Sequence, residues 1–104
     1  MSEFCLVTTT TDTPGLARTI ARALLEQKLA ACVQIMPITS HYVWDGQMRE
    51  DAEQLLLIKA KSADYADVAG AIRNLHSYDV PEILKLDVAD GSPDYLGWIR
   101  QTTR

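Results

Sequence analysis

The 104-residue sequence has only two cysteines, five glycines and no long apolar run, and each shortage closes off a class of protein. Cys5 and Cys32 lack the Cys-x-x-Cys spacing of a thiolate metal site. With no export signal they read as two reduced thiols rather than as a disulfide framework. The glycines form no phosphate-cradling loop, and no Gly-x-Ser-x-Gly, Walker or dinucleotide signature occurs. Apolar stretches such as Leu55 to Ile58 fall far short of the roughly 20 residues that a membrane span needs. Met1-Ser2-Glu3-Phe4 carries no basic segment followed by an apolar one, so no signal peptide is expected and a cytoplasmic protein is. Ten basic residues face 14 acidic ones, for a net charge of −4, and the basic ones are scattered rather than gathered into a stripe. Neither nucleic acid nor a membrane is therefore expected as a partner.

What is present is a folding sequence. With 47% hydrophobic and 23% charged residues, burial offsets chain entropy without help from disulfides. The length allows one domain spanning residues 1–104. So small a body leaves much of its surface wet, and self-association would stabilise it.

Phe4 to Thr10 is rich in β-branched residues and reads as a first strand. Thr13-Pro14 supplies a cap and a first helical residue for a helix to about Lys28, with Leu16, Ile20 and Leu24 at helical spacing. Ala31 to Ile38 is strand-like and continues to Trp44, with a bend or bulge expected at Pro37, which cannot donate to a ladder. Asp45-Gly46 is a strong hairpin signal, because a type I′ turn needs positive φ at both central residues. Gln47 to Lys61 returns as a third strand, so the arms exceed the usual strand of about 5–6 residues and their far ends should pass beyond the body. Ser62 is expected to cap a second helix ending near Leu75 and His76; Ile83 to Ala89 alternates as a half-buried strand; Ser92-Pro93 opens a short last helix. The order β-α-β-β-α-β is the ferredoxin-like α+β pattern, with an extended hairpin between the second and third strands and a short C-terminal helix. That fold hosts many functions and settles none.

Few residues could carry chemistry. His41 lies on the hairpin arm and reads as a half-exposed strand residue. His76 ends a helix, where a histidine commonly meets the dipole, but it also opens a loop containing Tyr78 and Glu82. Those three could form an acid-base group or an oxygen-nitrogen ligand set. Lys59 follows an apolar run and needs a carboxylate partner or an anion. Tyr42 and Trp44 share parity on one arm, as do Glu53 and Lys59 on the other, so each pair shares a face if no bulge intervenes. Asp12-Thr13-Pro14-Gly15 precedes a helix whose free amides could meet an anion, a weak signal on its own. With no activated nucleophile or cofactor motif, the residues favour a binding protein over an enzyme.

Several motifs coincide in order: Glu26-Gln27-Lys28-Leu29-Ala30-Ala31-Cys32-Val33, Ser40-x-Tyr42-x-Trp44-x-Gly46, Leu57-x-Lys59, His76-x-Tyr78-x-Val80-Pro81-Glu82-Ile83 and Tyr95-x-x-Trp98. Together they resemble the CutA family of divalent-cation tolerance proteins across nearly the whole chain. The resemblance implies a ferredoxin-like subunit in a homotrimer whose long hairpins reach neighbouring copies, in an architecture similar to that of the PII signalling proteins. It implies a response to divalent metal ions, with Cu2+ or another divalent cation weakly bound at His76 and Glu82. It also implies a ligand cleft between subunits built from Tyr42, Trp44, Lys59 and Tyr78. The copper ligands proposed for some members include a Cys near the end of the first strand and a His-His pair. Here Thr8 to Thr11 contains no Cys, and Leu75-His76 offers one His. The alternative reading is a PII-like sensor of a small anionic metabolite, held by Lys59 and the amides of residues 8–15.

Overall fold

A computed structural model of the chain describes residues 2–104. Strand β1 (Phe4–Thr11) leads to helix α1 (Pro14–Glu26), where Thr13 accepts the Leu16 amide at 3.2 Å. The helix stops two residues before Lys28 because Lys28 turns left-handed at φ 57°. The Leu29 amide reaches back to the Leu24 carbonyl and the Lys28 amide to that of Leu25, both at 3.0 Å, which is the Schellman arrangement with lysine where glycine is usual.

Strands β2 (Cys32–Trp44) and β3 (Gln47–Lys61) form the hairpin, with Asp45 at φ 52° and Gly46 at φ 73° as a type I′ turn requires. The register runs without interruption from Cys32 opposite Lys59 to Trp44 opposite Gln47. The bulge expected at Pro37 is absent. In the sheet order β2-β3-β1-β4 the strand β2 is an edge, and an outward-facing edge position asks for no N–H, so Pro37 sits opposite Gln54 at no cost to the ladder.

Ser62 does not cap the second helix. Residues Ser62–Asp64 make one 3₁₀ turn before α2 (Tyr65–Leu75), and the Ser62 hydroxyl has no hydrogen-bond partner. Strand β4 is shorter than its alternation suggests, covering Leu84–Asp87, because it pairs only with Cys5 to Thr8 of β1. Helix α3 (Pro93–Thr102) opens as expected, with Ser92 accepting the Tyr95 amide at 3.2 Å.

The sheet is antiparallel throughout, and period-2 alternation divides its faces. Val7, Leu56 and Ile58 point to one side, where they bury fully against Ile20, Leu24, Val68 and Ile72 of α1 and α2. The opposite face has no such cover. There Leu84 and Leu86 remain 56% and 47% exposed and Met36 45%, bordered by Tyr95 and Trp98 of α3. The hairpin end is also bare, and Met48 is 91% exposed.

Candidate functional site

The loop after α2 is fastened to the sheet by its histidine. His76 Nε2 lies 2.7 Å from the Thr10 carbonyl, and the Tyr78 amide donates to His76 Nδ1 at 3.1 Å. A carbonyl can only accept and an amide only donate. The ring therefore carries its proton on Nε2 and keeps a lone pair on Nδ1, which is the neutral imidazole with both nitrogens in use. The His76 and Tyr78 rings meet with centroids 4.7 Å apart.

From there Tyr78 reaches the hairpin. Its hydroxyl donates to Glu53 Oε2 at 2.8 Å, and burial followed by this carboxylate pushes the phenol well above its usual range. Nearer the turn, the Tyr42 hydroxyl donates to Asp51, which raises its pKa as well. Glu82 accepts from the Thr8 hydroxyl at 2.9 Å. These contacts frame a cavity of about 610 Å³ along the hairpin arm, from Glu53 to Trp44 beside the turn, walled also by Tyr42, Tyr78, Asp79 and Glu82.

The uninterrupted register puts Tyr42, Trp44, Glu53 and Lys59 on one sheet face, yet Lys59 stands apart from this cavity. It pairs opposite Leu6, and its Nζ lies 3.1 Å from the Tyr95 hydroxyl and 5.3 Å from that ring's centre. Leu6 and Thr11 are about 17 Å apart along β1 at the usual rise per residue, so within one chain Lys59 and the amides of residues 11–15, the far part of the 8–15 stretch, do not converge on one anion. His76 braces the cavity from behind and is not among its lining residues.

The donors fit a preformed copper site poorly. Soft copper binding favours thiolate and free imidazole. Burial pushes the Cys5 thiol up and keeps it protonated, while His76 would have to release the Tyr78 amide to offer Nδ1. Among the described residues no group of three His, Cys, Asp or Glu is placed to hold one ion. Sequence reasoning singled out Glu53 only by its parity, and it missed Thr10, Asp51 and Asp79. The one available signal for Asp51 was the hairpin register counted back from the Asp45-Gly46 turn, which sets Tyr42 opposite Arg49 and Asp51 diagonal to Tyr42 on the same face. Nothing in the sequence joins Thr10 to His76, 66 positions away.

Comparison with known proteins agrees with the geometry. Residues 5–102 match the family model described as CutA1 divalent ion tolerance protein. The Divalent-cation tolerance protein CutA of Thermus thermophilus is 44% identical over 104 residues, 99% of each chain. Protein CutA of Homo sapiens is 44% identical over 88 residues, which are 84% of this chain and 49% of the human one. Among solved structures, the Thermus thermophilus divalent cation tolerance protein superposes with TM-score 0.93 at 43% identity, covering 97% of this chain and 99% of that one. CutA1 from Oryza sativa gives TM-score 0.95 at 35% identity, covering 99% and 95%. With a ferredoxin-like sheet, a hairpin of unbroken register and a match across nearly its full length, this chain belongs to the CutA1 divalent ion tolerance family.

Proposed function

We propose that the protein acts as a homotrimer in tolerance to divalent cations, and that it meets those ions, copper included, weakly through surface oxygen donors rather than in a closed ligand set. The observation that carries the assembly is the uncovered apolar sheet face of Met36, Leu84 and Leu86, next to a long edge strand whose outer hydrogen-bonding groups have no neighbouring strand among the described residues. An exposed patch of that kind marks a protein contact, and an open edge of 13 residues invites another strand. The family's description is of tolerance and not of a reaction, which supports a binding role over catalysis.

Light scattering on the purified protein should give about three times the 11.6 kDa subunit mass, and Leu84→Asp with Leu86→Asp should lower it. A wild-type protein that stays monomeric at all concentrations overturns the assembly. Calorimetric titration of metal-free protein with Cu2+ and Zn2+ should show shallow, weak binding; tight stoichiometric uptake of copper overturns the view of the metal site.

A further inference from the structure

Two aspartates in the chain precede a glycine, Asp45 and Asp90, and the fold holds them differently. Such a bond is open to reaction with its own side chain, because glycine puts no substituent beside the amide nitrogen. Asp45-Gly46 is shut inside the type I′ turn, with Asp45 at φ 52° and Trp44 paired with Gln47 across it. Asp90-Gly91 lies in the connection between β4 and α3. There the Asp90 side chain folds forward over the next peptide bond, and the Gly91 amide donates to Asp90 Oδ1 at 2.8 Å.

That contact sets up a ring closure. The carboxyl carbon is one bond from Oδ1, so nitrogen and Cγ are held together as in a near-attack arrangement. What remains is a rotation that sets Cγ, in place of Oδ1, against the nitrogen. Closure also brings Cβ and the next nitrogen into one plane about the Cα–C bond. A type I′ turn holds Asp45 far from that plane, and the ladder behind the turn keeps it there. At position 91 packing asks for glycine: an added Cβ would stand 3.2 Å from Leu96 Cδ2 and 3.3 Å from its Cγ. The close approach of α3 therefore leaves the reactive nitrogen bare.

We infer that Asp90-Gly91 is a site of spontaneous modification in the folded protein, passing through a succinimide to isoaspartate. The Gly91 nitrogen bonds to Cγ of the Asp90 carboxyl in its acid form, and the carboxyl hydroxyl leaves with the amide proton as water. Water then adds to one of the two ring carbonyls. Opening at Cγ restores aspartate. Opening at the main-chain carbonyl carbon leaves the backbone running through Cβ and Cγ, one methylene longer, beside a free α-carboxylate. The reaction uses only the chain and water, so it does not require the loop to be open to a partner, and it stands apart from the metal reading. The added length falls between Val88, whose amide bonds the Phe4 carbonyl at 3.1 Å, and Ser92, the cap of α3. Modification should thus loosen the start of the helix that carries Tyr95.

The test is to warm the folded wild-type protein in mildly acidic buffer, digest it and map the peptides. Isoaspartate is counted by its separation from aspartate and by methyl transfer from S-adenosylmethionine with an isoaspartyl methyltransferase. It should form at position 90 about tenfold or more faster than at position 45. In urea-unfolded protein, where neither bond is held, the two rates should converge. Asp90→Asn and Asp45→Asn close the same ring with ammonia as the leaving group. The first should lose its amide about tenfold or more faster than the second. Equal rates at the two bonds of the folded protein, a faster reaction at position 45, or isoaspartate at position 90 only after unfolding overturns the inference.

Discussion

Replacing His76 with alanine separates a structural brace from a metal ligand. The side chain makes two hydrogen bonds, to the Thr10 carbonyl at 2.7 Å and from the Tyr78 amide at 3.1 Å, and a ring contact with Tyr78. Net hydrogen bonds in proteins contribute about 1 kcal/mol each, and an aromatic pair about 0.5–1.5 kcal/mol. The site is only part-buried, so water recovers some of this in the variant. The expected loss is therefore about 2 kcal/mol, and it falls on metal-free protein. Urea unfolding, with both proteins at one protomer concentration because the stability of an oligomer depends on it, should show a lower midpoint at unchanged slope. Hydrogen exchange should quicken at the amides of residues 77–80 and 82, in the loop that the ring fastens to β1. The same variant should bind Cu2+ as weakly as the wild type. An unchanged unfolding midpoint together with a lost copper heat would refute the reasoning, for it would make His76 a ligand that the fold does not use.

Lys28→Gly should stabilise the protein by about 0.5–1 kcal/mol in urea unfolding, since φ 57° penalises a side chain more than glycine's extra chain entropy costs. Gly46→Ala should destabilise it by about 1 kcal/mol in the same assay: a Cβ there meets no atom within 4 Å, so the whole cost lies in φ 73°. The Tyr78 phenol is raised above its unfolded value, so its contribution is complete below about pH 10, where an unfolded tyrosine begins to ionise, and is lost as pH rises through the folded value. Wild-type stability should thus fall with pH above that point, and Tyr78→Phe should flatten the slope; identical slopes would count against the Glu53 contact.

The parts legible in the sequence were those fixed by neighbours along the chain. Thr13-Pro14 and Ser92-Pro93 set their helix starts because cap and first turn lie within three residues. Asp45-Gly46 fixed the hairpin and, through the period of two, the shared face of Tyr42, Trp44, Glu53 and Lys59. What failed depended on position in the sheet. Pro37 argues for a bulge only in a strand flanked on both sides, and β2 has one neighbour. Ser62 has the chemistry of a cap, but the chain enters α2 through a 3₁₀ turn whose first amide bonds the Glu3 carbonyl at 2.8 Å. At the site, residue types drew attention to His76, Tyr78 and Glu82, while their partners Thr10, Glu53 and Thr8 are set by tertiary pairing. The resemblance groups Lys59 with the aromatics in a cleft between subunits; within one chain six residues of strand separate it from Glu53 and place it beside Tyr95 of α3.

The strand order has a consequence for synthesis. Of the four strands β1 leaves the ribosome before the others, yet it lies inside the sheet, between β3 and β4. Its register partners begin at Gln54 and end at Asp87, so at about 5–20 residues per second it waits seconds for both edges. The β2-β3 hairpin closes locally, on the order of microseconds once both arms are free. The nascent chain thus builds its protruding arm before β1, Phe4 to Thr11, has both of its neighbouring strands, which are made later. Until then the hydrogen-bonding edges of that segment lack the strands that will pair with them, while its Val7 side already has α1, the next element along the chain, to pack against.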